Sequence, residues 1–182
     1  RSIKGDTNTF DHQGKELSGN SITYKNDLTD LFGVDTEFKG KIKEPWLPGK
    51  KTNIEVRSLS VDGGMASNKT FITHIANILG SAKYLNCPVV MDGDDIMVQK
   101  EFTQGGVTQQ EGKASVSITY VKDGVALGHT AINITAGKKA PAFAFSTNFD
   151  DDQATQFMSD VQKTFYELND DMFVATSKVI IK

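Results

Sequence analysis

Two alternating runs separated by two residues constrain this chain more than any other feature. The segment 113–121 reads KASVSITYV, with Ala114, Val116, Ile118 and Tyr120 on one face and Ser115, Ser117 and Thr119 on the other. Asp123-Gly124 follows, and VALGHTAINIT then runs back. An Asp-Gly pair between period-two runs favours the positive-φ turn that matches the twist of paired strands, so the spacing predicts an antiparallel hairpin. A third adjacent strand is expected at 140–147, APAFAFST, carrying Phe143 and Phe145.

Helical periods flank this block. From Ser67, the positions Phe71, Ile75, Ile78, Leu79 and Ala82 share one face, and from Asp150 so do Ala154, Phe157, Met158, Val161, Phe165 and Leu168. The aspartates 150–152 suit the positive end of the second helix. The apolar run at 172–181, MFVATSKVII, reads as a closing strand. Further strands are expected at 36–42, at 53–61 with Ile54, Val56, Leu59 and Val61 inward, at 88–91, and at 96–102. The Gly-containing stretch 103–112 reads as a polar loop.

The expected fold class is therefore α+β: a single domain with a mixed, mainly antiparallel sheet and two amphipathic helices on one face. Residues 1–20 hold few large apolar side chains and read as a flexible polar leader or tether. The domain is expected over 21–182, with 53–182 as its best-defined body. Leu28, Leu31 and Phe32 suggest a short helical turn stopped by Gly33, and 43–51, KEPWLPGKK, reads as a loop.

At 182 residues the chain is long enough to bury a core without staples. Its lone Cys87 forbids an internal disulfide, and the residue sits before Pro88 and an apolar run, as an inert buried thiol would. Twenty Lys+Arg against 23 Asp+Glu leave a net charge of -3, so no basic excess exists to neutralise nucleic-acid phosphates. No apolar run approaches the roughly 20 residues of a membrane helix. Asn68-Lys69-Thr70 and Asn133-Ile134-Thr135 match the glycosylation tripeptide, a pattern common by chance in a chain rich in Asn and Thr.

The segment 63–70, GGMASNKT, follows one expected strand and opens one expected helix. Gly63, Lys69 and Thr70 match a phosphate loop, but Asn68 stands where the second glycine should let backbone approach phosphate. The plainer reading is a turn, a helix cap and a solvated lysine. Asp92, ending an apolar run, would then be the magnesium ligand. Asp92, Asp94 and Asp95 also form an acidic cluster that could hold a divalent cation. Met97 and Thr103 stand where a calcium loop needs Gly and Glu, so a turn is the simpler explanation. His12, His74 and His129 show no metal-ligand spacing. Trp46, beside Lys43 and Lys50, could anchor a partner on a basic loop or fold back over the sheet edge.

The first functional reading is a non-catalytic binding or assembly module acting through protein–protein contacts. It resembles in arrangement a bacterial-type envelope or secreted accessory domain with a lipoprotein-like tether. Its expected setting is extracytoplasmic, with Trp46, Lys43 and Lys50 toward a protein partner, no cofactor and no nucleic acid. The alternative is a small nucleotide- or phosphoester-binding enzyme using Gly63, Lys69 and Thr70 with Asp92.

Overall fold

The computed structural model describes residues 2–4, 9–10, 16–17, 21–28, 34–43, 49–59, 64–122 and 125–181, with side chains over 38–42, 49–56, 69–117 and 125–168. The alternating hairpin forms as expected. Strands β12 (Ser115–Lys122) and β13 (Val125–Thr135) pair antiparallel, with Lys122 opposite Val125, so just two residues join them. The other strand at the centre is β6 (Lys50–Leu59), which pairs with β13 on one side and β5 (Val34–Lys43) on the other. Outward from β5 come β4 (Ser21–Leu28) and β1 (Ser2–Lys4), giving a six-stranded sheet ordered β1-β4-β5-β6-β13-β12. Every pairing in it is antiparallel.

Two helices cover one face, and the whole is one α+β domain. Helix α1 (Gly64–Gly80) turns Phe71, Ile72, Ile75, Ala76 and Leu79 inward; α2 (Asp151–Ile181) buries Ala154, Phe157, Met158, Val161 and Phe165. They meet Phe38 and Ile42 of β5, Ile54 of β6 and Ile132 and Ile134 of β13 in one continuous core. Phe165 joins the layers, its ring centroid 5.7 Å from that of Phe38 and 5.3 Å from that of Phe71. Asp150 caps α2 reciprocally: its carboxylate accepts the Gln153 N–H at 2.7 Å, and the Gln153 side chain accepts the Asp150 N–H at 3.0 Å.

A smaller sheet extends the core beside α1. Strands β7 (Val89–Asp92) and β8 (Asp95–Val98) form a tight hairpin, and β11 (Gly112–Lys113) joins the other edge of β8. Strands β9 (Phe102–Gln104) and β10 (Val107–Gln109) pair separately, as do β2 (Thr9–Phe10) and β3 (Glu16–Leu17).

Several elements differ from the sequence expectation. The run 172–181 continues α2: no Gly or Pro follows Leu168, and β-branched residues cost only tenths of a kcal/mol each in a helix, roughly. The segment 140–147 forms no strand. Two of its backbone donors go into turns, Ala140 N to Gly137 O and Ala144 N to Pro141 O, while Phe145 N and Thr147 N reach Lys113 and Asn133, and the pairing amounts to one bridge between Ala144 and Lys113. Helix α1 starts before Ser67 and ends at Gly80, so Ala82 lies beyond it and is exposed. The stretch 103–112 contains the β9–β10 turn, where Gly105 and Gly106 both take positive φ as that two-residue turn requires. The run 96–102 is split, with β8 ending at Val98 and β9 beginning at Phe102. Both strands around 43–51 reach further than expected, β5 through Lys43 and β6 from Lys50. Leu28 ends β4; Leu31, Phe32, Trp46 and Val61 lie outside the described residues, as does the side chain of Leu59.

Candidate functional site

The helix-facing side of β6 carries Thr52, Ile54 and Val56, so alternation puts Lys51, Asn53 and Glu55 on the opposite face. The register continues that face sideways. Lys51 stands opposite Lys43 on β5 and Asn133 on β13, while Asn53 stands opposite Lys41 and Ala131. This face should be the wet one, yet Lys41, Lys51, Asn53, Ala131 and Asn133 are all buried.

The cover near Lys51 and Asn133 is the segment 136–149, here termed the strap. Lys113 fixes it by donating its N–H to Phe143 O at 2.8 Å and accepting the Phe145 N–H at 2.9 Å. Thr147 N donates to Asn133 O, and Asn148 N to Ile134 O. Gln104 Nε2 donates to Gly137 O at 2.7 Å. Gly137 and Asn148 take positive φ near the two ends of the strap. Gly49 closes the corner at φ +94: a Cβ there would overlap the carbonyl oxygen of Thr135, so glycine lets the start of β6 lie against the end of β13.

Between sheet and strap lies a pocket of ≈ 270 Å³. Val116, Ala136, Ala140, Pro141, Phe143 and Ala144 supply its apolar wall, and Lys51, Lys113, Asn133 and Ser115 its polar residues, the Ser115 hydroxyl oxygen accepting the Ile96 N–H at 3.0 Å. Lys51 Nζ donates to Asn133 Oδ1. The Asn133 amide nitrogen is committed to Phe145 O at 3.1 Å and Lys113 O at 3.4 Å, so its oxygen must face the lysine. Burial holds the Lys51 amine below the usual lysine range. The Lys113 ammonium is engaged by Asp95 Oδ1 at 2.9 Å. Beside this centre, Asn53 Nδ2 donates to Lys51 O, which leaves Asn53 Oδ1 to accept from His129 Nε2 at 3.1 Å.

A second concavity of ≈ 460 Å³ lies between the helices. Its Asp160 is held by two neighbours in the same lining. Asp160 accepts from Tyr84 Oη at 2.5 Å and from Lys83 Nζ at 2.8 Å. Burial works to raise the Asp160 carboxyl, but those bonds and the Lys83 charge outweigh it and hold the group below the ordinary range. Burial, then the hydrogen bond and charge of Asp160, push the Tyr84 phenol up.

Asp95 reaches the pocket's edge through Lys113, but no single centre gathers the residues proposed for chemistry in the sequence. Lys69 and Thr70 are the sixth and seventh residues of α1 and exposed, beyond the first four N–H groups that a helix leaves free for an anion. Gly63 lies outside the described residues. Asp92 ends β7 and Asp95 begins β8 across the Gly93-Asp94 turn. Among the described residues no group of three or more His, Cys, Asp or Glu side chains is placed to hold a metal ion. Lys50 pairs with Asp151 at 3.0 Å, tying β6 to the start of α2. Lys43 ends β5, its side chain outside the described residues. Cys87 is half-buried, and burial raises its thiol, against a smaller opposite pull from Lys100. No helix among the described residues is long and apolar enough to cross a membrane.

Lys51 and Asn133 are the residues that sequence reasoning misses. Lys51 belongs to a run that reads as loop, and Asn133 to a chance glycosylation tripeptide. The available signal is alternation: KTNIEV keeps the strand period back through Lys51 and puts it on the same face as Asn53.

No family model matches the chain, and no curated protein matches it. Among solved structures, one similar in fold is a protein of unknown function from Pyrococcus horikoshi, with TM-score 0.53 and 18% identity over 77% of this chain. The chain spans 65% of that protein's length. A looser likeness, TM-score 0.43 at 18% identity over 70% of this chain and 40% of the other, is to P. falciparum LipL1 in complex with lipoate. The first likeness is one of fold.

Proposed function

We propose that this chain is a non-catalytic binding module whose ligand is a small organic molecule seated between the sheet and the strap. The single observation that carries the reading is Lys51, an amine on a central strand, buried beside an apolar-walled pocket with one neutral hydrogen-bond partner among the described residues. A buried amine in such surroundings costs free energy unless a partner offsets it. An apolar wall with few polar groups at one end suits a ligand with a short aliphatic body and an oxygen-bearing head directed at Lys51. The pocket is near the small end of ligand sites, which start at about 300 Å³. That selects short chains over nucleotides.

The test is thermal melting with hexanol, hexanoate and hexanal, in the native chain and in Ala140→Phe, which fills the pocket from the strap side. A ligand at about 100 times its dissociation constant stabilises by roughly 2.7 kcal/mol. For a domain of this length that raises Tm by about 5–10 °C. A rise that Ala140→Phe abolishes supports the reading. No rise with any of the three, or an equal rise in the variant, overturns it.

A further inference from the structure

The Lys51 amine lines the pocket with an acceptor as its one described partner. A neutral lysine amine has two hydrogens and one lone pair. The Asn133 oxygen can only accept, so it takes a hydrogen and leaves the lone pair unused. The Asn133 amide cannot turn to offer its nitrogen, because that nitrogen is held by Phe145 O and Lys113 O.

Among the described charged groups nearest this amine, Lys113 and Lys41 disfavour its charged form, while Asp95, held by Lys113, and Glu55, opposite His129 two rows along β6, favour it. Lys113 lines the same pocket, its ammonium paired with Asp95, and Lys41 stands on the neighbouring strand one row away. His129 lies two rows from Lys51 and bonds Asn53, which stands between them. No carboxylate lines the pocket among the described residues. Burial is the cause that holds the amine below its usual range.

The geometry points to Lys51 as a carbonyl-capturing residue that condenses reversibly with a short aliphatic aldehyde lying along Val116, Ala140, Pro141 and Phe143. This rests on the ligand-pocket reading and names its ligand class. The nitrogen lone pair attacks the carbonyl carbon, a C–N bond forms, and the carbonyl π pair moves to oxygen, which takes a proton. The carbinolamine then loses its hydroxyl as water together with one nitrogen proton, leaving an imine. Amine plus aldehyde gives imine plus water, with no change of oxidation state. An oxo acid or a phosphorylated sugar would need a second cation for its anionic group, and Lys113 is already engaged by Asp95. A simple aldehyde needs none.

The experiment treats the folded chain with hexanal and cyanoborohydride near neutral pH, then locates reduced alkyl groups by peptide mapping. Each unit of lowered pKa raises the neutral fraction of an amine about tenfold at a pH below it. Lys51, its pKa lowered by burial, should therefore be alkylated faster than exposed Lys69 or Lys139 in the same molecule. Asn133→Asp, which sets a carboxylate beside the amine and favours its charged form, should slow Lys51 selectively while leaving the exposed lysines unchanged. Hexanol, which cannot form an imine, should compete. Labelling of Lys51 no faster than of the exposed lysines overturns the proposal. If hexanol still raises Tm in that case, the pocket reading survives and carbonyl capture alone fails. If neither compound binds, both fall.

Discussion

Replacing Gln162 with methionine should stabilise the protein, although it deletes a hydrogen-bonding side chain. Gln162 lies on α2 and is 1% exposed, and its amide nitrogen is buried without a hydrogen-bond partner among the described residues. Leaving such a donor unsatisfied costs about 1–3 kcal/mol, because its water partners are lost and nothing replaces them. Methionine keeps the unbranched shape and the helix propensity and removes the polar atoms. Part of the gain is lost to imperfect repacking, so the net expectation is about 1 kcal/mol, or roughly 2–4 °C in Tm for a domain of this size. Urea denaturation should show a higher midpoint at unchanged slope, since the surface exposed on unfolding hardly changes. Gln162→Glu provides the opposite arm. A carboxylate buried there without a partner should destabilise at neutral pH, and the loss should shrink as acid protonates it in the folded state. The reasoning is refuted if Gln162→Met lowers stability by 1 kcal/mol or more, or if Gln162→Glu is neutral at pH 7.

Gly49→Ala should cost roughly 2–4 kcal/mol, read as a lowered urea midpoint, because the position needs positive φ and the new Cβ overlaps Thr135. Removing the α2 cap with Asp150→Ala should cost about 1 kcal/mol and speed amide exchange at Gln153. Lys51 has a folded pKa below its unfolded value of 10.5, so the unfolded chain binds the extra proton and stability climbs as pH rises through that window. Tm against pH should climb less steeply in Lys51→Met; parallel curves would contradict the assignment. For Asp160, held low in the fold, the stabilisation is present above the unfolded pKa of 3.8 and lost as pH falls through the folded value. Tyr84→Phe should therefore cost about 1–2 kcal/mol at neutral pH and less in acid, measured by melting at the two conditions.

What the sequence makes legible is what local chemistry alone decides. The β12–β13 hairpin and the core faces of both helices are readable because alternation and the 3.6-residue period are local signals. The end of α2 is not, because 172–181 suits a strand by composition and only continuity with the preceding turns holds it helical. The strap is misread for a related reason: Phe143 and Phe145 alternate like strand residues, yet Phe143 is 52% exposed while Phe145 is buried against Phe102. The candidate site is the least legible part. Lys51 acquires its meaning from burial, which depends on a segment about 90 positions later lying over it. Composition sees an ordinary surface lysine.

The pairing of β6 with β13 has a consequence for how the molecule is made. Thr52 Oγ1 donates to the carbonyl of Ile132, 80 residues further along the chain. The central seam of the sheet therefore forms only after α1 and the small sheet have been bridged, at the entropy of closing a long loop. Before β13 arrives, β6 has β5 on one side and nothing on the other, with Ile54 in its middle. Such an open edge is a template for pairing with another molecule. Assembly in the cell is then a race between the late hairpin and a neighbouring chain, and crowded, fast synthesis favours aggregation over the native seam.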